Sequence, residues 1–186
     1  MKKIVFIVGS LRAKSFNRQL ARDAEAMLAD RAEVSYLDYS ELPWVNQDTE
    51  FPTPETVSLV RKAIAEADGL WIFTPEYNSS YPGHLKNLFD WLSRPVKPMD
   101  YATPTCIAGK PVAISGAGGK AATANCRLKL TKLLTFIRAD VMQEPQTGIA
   151  LAPEAWTTDV LVLTTEQKNA LSEQADSFLK HISKKP

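Results

Sequence analysis

The sequence has few of the residues that build disulfide and metal sites: two cysteines and two histidines among 186 residues. Cys106 and Cys126 have neither CxxC nor zinc-ligand spacing, so we interpret them as reduced structural thiols rather than a disulfide framework. His84 and His181 are too few for a histidine-based metal centre or catalytic triad. We therefore expect no metal site and a cytoplasmic location, where thiols stay reduced.

An excess of one charge and a long apolar run are also missing. The formal net charge is +1, and basic and acidic residues are spread along the chain. This distribution gives no basic stripe that would bind nucleic acid and no acidic face that would bind a protein partner. The apolar residues after Met1-Lys2-Lys3 end at Val8, far short of a signal-peptide core or a membrane span. We expect small-molecule partners, no nucleic acid and no membrane insertion.

The composition is that of an ordinary globular protein, with 45% hydrophobic and 23% charged residues. A chain of this length is long enough to bury one substantial core. We therefore predict a single domain over residues 1–186.

Short β-branched runs alternate with helix-period segments, which is typical of βα units on a parallel sheet. The run Gly69–Thr74 is apolar on both alternations and so predicts a central strand. The pattern predicts strands at about 3–8, 33–38, 69–74, 111–115 and 140–142, and helices at about 17–29, 54–67, 85–93 and 123–137, with a last helix that starts at the capping box 164–167. The predicted fold is an α/β flavodoxin-like three-layer sandwich with a five-stranded parallel sheet in the order 2-1-3-4-5.

Two helices carry further signals. Thr53 is predicted to cap the second helix, with Pro54 in its first turn. The helix at 85–93 is more apolar than a surface helix needs, and the sequence leaves open whether this excess is core or a subunit contact near Trp91.

In the order 2-1-3-4-5 the chain direction reverses between strands 1 and 3, which opens a crevice at their carboxyl ends. The loop Gly9–Asn17 follows strand 1 and lies just before a helix N-terminus, where backbone N–H groups favour an anion. Leu11 stands where a dinucleotide GxGxxG motif needs glycine, and no Walker A loop is present. A mononucleotide phosphate is indicated, bound by the side chains of Ser10, Arg12, Ser15 and Asn17. The alternative is that Ser15 or Asn17 only caps the helix.

The loop that follows strand 3 suits a flat, amphipathic ring. Pro75 and Pro82 restrict its backbone, Tyr77 offers a flat face, and Asn78 offers hydrogen-bonding groups. A surface loop rich in turn formers is the alternative. The glycines of Gly116–Gly119 indicate either close approach to a ligand or a tight turn. Together the three loops suggest a flavin nucleotide.

Three segments carry a family resemblance: GSLRAKSFN at 9–17, TPEYNSSYPGHLKNLFDWLSR at 74–94 and, more loosely, ISGAGG at 114–119. On these the chain resembles the NAD(P)H-dependent FMN reductases, a flavodoxin-like family that includes bacterial quinone and chromate reductases. The resemblance implies that FMN is bound by Ser10, Arg12, Ser15, Phe16 and Asn17 at its phosphate, by Pro75, Glu76, Tyr77 and Asn78 at its isoalloxazine, and lies beside Ser115 and Gly116. It also implies a homodimer or homotetramer. The segment Lys120–Asn125 departs from the glycine- and arginine-rich stretch common in relatives, so the resemblance does not imply how the nicotinamide nucleotide or second substrate is engaged there.

The function that follows is an FMN-dependent oxidoreductase that passes hydride from NAD(P)H to quinone-like or other small acceptors by a ping-pong mechanism. The flavin carries the chemistry, so we assign no catalytic acid, base or nucleophile. His84 lies near the ring loop, where helix-start polarity and proton transfer are the alternatives. The alternative functions are a flavodoxin-type electron carrier, which the near-neutral charge argues against, and a flavin-sensing regulator.

Overall fold

The computed structural model describes residues 1–184 as a parallel sheet with helices on both faces. The strands are β1 (Lys2–Val8), β2 (Ala32–Tyr36), β3 (Gly69–Phe73), β4 (Pro111–Gly118), β5 (Asp140–Val141) and β6 (Gly148–Ala150). The helices are α1 (Phe16–Leu28), α2 (Glu55–Glu66), α3 (Gly83–Ser93), α4 (Ala124–Phe136), α5 (Ala155–Thr158) and α6 (Thr165–Ser183). The strand order is β2-β1-β3-β4-β5 with parallel pairing throughout, so the predicted order is confirmed.

The core lies in two layers, one on each face of the sheet. Side chains alternate between the faces because successive residues of a strand point in opposite directions. On β3, Trp71 and Phe73 pack with residues of α1 and α6, whereas Leu70 and Ile72 pack with residues of α2, α3 and α4. Every residue of β3 is buried, which confirms it as a central strand.

The apolar face of α3 belongs to the core. Leu88, Phe89, Trp91 and Leu92 are all fully buried. The indole N–H of Trp91 donates to the carbonyl of Pro43 at 2.7 Å, which ties α3 to the long crossover after β2. The Trp91 side chain is therefore enclosed by its own chain, so the apolar excess of α3 is core, whereas a subunit contact near Trp91 stays a prediction.

The two predicted helix caps have different outcomes. Thr53 is not the cap of α2: Pro54 occupies the N-cap position with extended backbone, and no side chain caps the helix. The capping box of α6 is confirmed. Thr164 Oγ1 accepts from the Gln167 N–H at 3.2 Å, and the Gln167 side chain accepts from the Thr164 N–H at 3.0 Å.

The sheet has a sixth strand that the sequence pattern does not predict. β4 continues through Gly116–Gly118, which the pattern predicts as loop, because these residues pair with β6. β5 and β6 lie along the same edge of β4: Val112 accepts from the Met142 N–H at 2.8 Å, and Gly118 accepts from the Leu151 N–H at 2.9 Å. The edge strand is thus interrupted between β5 and β6.

Gln174 of α6 makes hydrogen bonds to the backbone groups that lack a strand partner at this interruption. Its side chain is completely buried, and Nε2 donates to the carbonyl of Ile114 at 2.9 Å. Oε1 accepts from the Thr147 N–H at 2.9 Å and from the Ser115 hydroxyl at 2.7 Å. One amide therefore replaces the strand pairing that the edge lacks at this point.

Over residues 1–184, no helix has the length and apolar character needed to cross a membrane. The same residues contain no cluster of three or more His, Cys, Asp or Glu side chains that could hold a metal ion.

Candidate functional site

The loops after β1, β3 and β4 begin side by side at the carboxyl edge of the sheet. The Gly9 N–H donates to the carbonyl of Phe73 at 2.8 Å, and the Thr74 N–H donates to the carbonyl of Ser115 at 2.9 Å. The strand order predicts that these loops meet at this edge. The loops are those singled out from the sequence.

Two glycines allow close packing where these loops begin. A Cβ at Gly9 would lie 2.5 Å from a methyl carbon of Leu85, and one at Gly116 would lie 2.4 Å from the carbonyl oxygen of Thr74. Such a Cβ would also lie 2.3 Å from Thr123 Oγ1, a buried hydroxyl with no hydrogen-bond partner in residues 1–184. The close approach at Gly116 is therefore to the β3 loop, and an unpartnered hydroxyl lies beside this glycine.

Two of the predicted phosphate-binding side chains organise the first loop. Ser15 is the N-cap of α1, and its Oγ accepts from the Arg18 N–H at 3.2 Å. The amide of Asn17 binds both backbone groups of Ala117, accepting from its N–H at 2.8 Å and donating to its carbonyl at 3.0 Å. Asn17 thereby ties α1 to β4. Helix capping accounts for Ser15, and the first-turn N–H groups of α1 have no partner within the helix.

Two cationic side chains, Arg12 and Lys14, lie in the loop just before this helix N-terminus. Arg12 lies above the ring of Phe16, 5.5 Å from its centroid, with its side chain 48% exposed. It forms an ion pair with Asp159, whose other carboxylate oxygen lies 3.3 Å from Lys14 Nζ. The hydrogen bond from Arg12 lowers the pKa of Asp159. Ser10, also predicted to bind the phosphate, is buried at the start of this loop.

The β3 loop ends in a tight turn at Tyr77–Ser80. The two terminal residues exchange backbone hydrogen bonds of 2.9 and 3.0 Å, and Asn78 and Ser79 adopt left-handed backbone angles, with φ of 50° and 57°. Asparagine is among the residues that tolerate this conformation. Tyr77 is half exposed and Asn78 is exposed. A turn-forming loop is present, and it presents a flat ring beside an amide.

Glu76 and Ser115 have their side chains turned away from this turn. The Glu76 carboxylate accepts from the Cys126 N–H at 2.9 Å, where it faces the positive end of the α4 dipole. The Ser115 hydroxyl lies in the core, accepting from Trp71 Nε1 at 2.9 Å and donating to Gln174. These side chains position the loops, and their role in cofactor binding stays a prediction.

His84 lies on the other side of the first loop, stacked on Tyr39 with ring centroids 5.8 Å apart. Burial lowers the pKa of His84, and this outweighs the opposite effect of a hydrogen bond with the backbone of Gly9. The imidazole is therefore neutral at neutral pH.

The arrangement fits a flat ring that carries one phosphate. The N-terminus of α1, with Arg12 and Lys14 near it, offers hydrogen-bond donors and positive charge that suit an anion. Tyr77 and Asn78 offer an apolar face and hydrogen-bonding groups on the neighbouring loop. FMN has both of the parts that these groups suit.

A parallel sheet in this strand order, with polar loops after β1 and β3 at its carboxyl edge, defines the class of flavodoxin-like proteins. The family model of NADPH-dependent FMN reductases matches residues 2–154, and the chain belongs to this family. It is therefore an oxidoreductase that uses FMN together with a nicotinamide nucleotide.

Similar proteins cover most of the chain. A 2-hydroxy-1,4-benzoquinone reductase of a Burkholderia species is 38% identical over 145 residues, which span 77% of this chain and 76% of the relative. An NAD(P)H-dependent FMN reductase of Pseudomonas aeruginosa is 32% identical over 178 residues, 95% of this chain and 92% of the relative. Among solved structures, FerB, an NAD(P)H:(acceptor) oxidoreductase of Paracoccus denitrificans, matches with a TM-score of 0.87 and 31% identity, covering 99% of this chain and 98% of FerB.

Proposed function

We propose that this protein passes hydride from NADPH or NADH through FMN to a quinone-like or other small acceptor. The observation that carries the proposal is the meeting of the β1, β3 and β4 loops at one edge, where the first loop leads to a helix N-terminus with two cationic side chains and the second to an exposed ring-bearing turn. The relatives support it, because their names include a benzoquinone reductase and an NAD(P)H-dependent FMN reductase.

FMN, when bound, supplies the redox chemistry by accepting hydride from the reduced nicotinamide and passing electrons to the acceptor. Arg12, Lys14 and the first-turn N–H groups of α1 would hold its phosphate. Tyr77 and Asn78 would contact its ring, and Gly116 would lie beside it. The chain's own contribution is to bind, to orient and to exclude water, so no side chain is assigned as acid, base or nucleophile.

Initial rates are expected to follow a ping-pong pattern with a broad range of acceptors. The exposed turn at 77–79 carries no charged side chain that would select one acceptor, so the nucleotide and the acceptor would use the same open face in turn. Rates measured with NADPH or NADH against a benzoquinone, at several fixed concentrations of each, should give parallel double-reciprocal lines.

Two results would contradict this expectation. Intersecting lines would mean that both substrates bind together, with a separate acceptor pocket. An absence of turnover with any quinone, alongside bound flavin that NADPH does not bleach, would favour the electron-carrier function instead.

The same proposal extends to assembly and location. We propose a single FMN-binding domain over residues 1–186, located in the cytoplasm and assembled as a homodimer or homotetramer through a surface that excludes the buried Trp91. Light scattering at micromolar concentration should give the mass of a dimer or a tetramer. A monomeric mass in the presence of FMN would contradict the assembly.

A further inference from the structure

A short segment after the family match lies across the N-terminal part of α1. We call this segment, residues 155–161, the strap. It contains α5, and Asp159 is the C-cap of that helix, with a left-handed φ of 60°. The side-chain amide of Gln19 binds the strap twice. Nε2 donates to the carbonyl of Asp159 at 2.9 Å, and Oε1 accepts from the Leu161 N–H at 2.8 Å. The Gln19 side chain therefore fixes the main chain of the strap to α1.

Apolar packing fixes the other end of the strap. Ala155 is buried in the core, and the ring of Trp156 meets the ring of Phe16 edge to face, with centroids 5.6 Å apart. Phe16 is the first residue of α1 and also lies beneath the Arg12 guanidinium. The strap thus holds Asp159 at the end of α1 where the phosphate is proposed to bind.

The Asp159 carboxylate makes its contacts with the cations of the proposed phosphate site. It pairs with Arg12 through one oxygen and with Lys14 through the other, and its side chain is only 25% exposed. Carboxylate and phosphate are alternative anions for the same donors, because both offer several acceptor oxygens to a guanidinium or an ammonium. The negative charge of Asp159 also repels a phosphate that binds at the same point.

We propose that Asp159 is a specificity-determining residue that competes with the FMN phosphate for Arg12 and Lys14, and so lowers FMN affinity. The inference rests on the proposed function, which places the phosphate at α1. Asp159 lies beyond residue 154, outside the segment that establishes family membership. Asp159 should lower the affinity for FMN but not for riboflavin, which has no phosphate. The carboxylate therefore makes the two dissociation constants more alike.

The test is the variant Asp159→Asn in the full chain. Asparagine tolerates the left-handed backbone at this position, and the Gln19 bonds go to main-chain atoms, so the strap should keep its place. Fluorescence titration of flavin-stripped protein should show an FMN dissociation constant lower by about tenfold, as expected when charged hydrogen-bond donors are released to the ligand. The riboflavin dissociation constant should not change.

Asp176→Asn is the matched control. This substitution also removes one negative charge from an ion-paired carboxylate. Asp176 lies on α6, where it pairs with Arg31 away from the proposed phosphate site. Equal FMN affinity in the two variants would overturn the proposal. Weaker FMN binding in Asp159→Asn would also overturn it, since Asp159 would then position Arg12 for the phosphate. An equal gain for riboflavin would show an effect unrelated to the phosphate and would overturn it too. No FMN binding by the unchanged chain would overturn the proposed function itself.

Discussion

Replacing Gln174 with leucine is expected to lower the free energy of unfolding by about 3–5 kcal/mol, because it leaves several buried polar groups without a partner that each cost about 1–3 kcal/mol. The carbonyl of Ile114 and the N–H of Thr147 lose their bonds to this side chain, and the hydroxyl of Ser115 loses its acceptor while it keeps the bond from Trp71. Leucine has a similar volume, so the loss should come from hydrogen bonding rather than from a cavity. Urea denaturation of both proteins at the same FMN concentration measures it.

The control is Gln143→Leu. Gln143 is exposed and makes one hydrogen bond of 3.2 Å, to the carbonyl of Val141. Its replacement should change the free energy of unfolding by no more than about 0.5 kcal/mol. Similar losses in the two variants would mean that Gln174 does not substitute for strand pairing at the interruption between β5 and β6.

Replacing Arg12 with alanine is expected to weaken FMN binding by about 1.5–3 kcal/mol, the value of a hydrogen bond to a charged group. Each factor of ten in the dissociation constant corresponds to about 1.4 kcal/mol. The riboflavin dissociation constant should stay the same, because the guanidinium is proposed to meet the phosphate. Ser15→Ala should weaken FMN binding as well if its hydroxyl also meets the phosphate, as the sequence predicts, and it should cost about 1 kcal/mol of stability through the lost N-cap.

Arg31→Ala is the control for Arg12→Ala, since Arg31 is a similarly exposed arginine in a surface ion pair with Asp176. Unchanged FMN titrations for both Arg12→Ala and Ser15→Ala would refute the phosphate assignment and leave the fold intact. The double variant with Asp159→Asn adds a further check. If Asp159 acts through Arg12, the gain from Asp159→Asn should shrink when Arg12 is absent.

Much of the fold follows from local patterns. The run Gly69–Phe73 is apolar on both alternations, which predicts a strand buried on both faces, and the structure buries every residue of it. The Thr164–Gln167 box is equally local, because its two bonds join residues three positions apart. The three loops at the edge follow from the strand order, since parallel strands place their carboxyl ends together.

Other features depend on partners that are distant in the chain. The burial of Trp91 involves Pro43, 48 residues away, so the apolar pattern of α3 is equally compatible with core and with a subunit contact. β6 is only three residues long and follows turn-forming residues, and its pairing with β4 has no local signal. Gln174 is a polar residue on a buried helix face, and its partners are 27 to 60 residues away.

By itself the sequence determined the βα alternation, the central strand and the loops that carry the candidate site, because these depend on periodicity and on residues close in the chain. The strand order is the one expected for this alternation, although the pairing itself joins residues that are distant in the chain. Only the tertiary structure decided which side chains of those loops remain available. Asn17 is bound to Ala117, Glu76 to Cys126 and Arg12 to Asp159, over separations of 100, 50 and 147 residues. Such hydrogen bonds and ion pairs form only when the packed helices bring these residues together, and no local pattern encodes them.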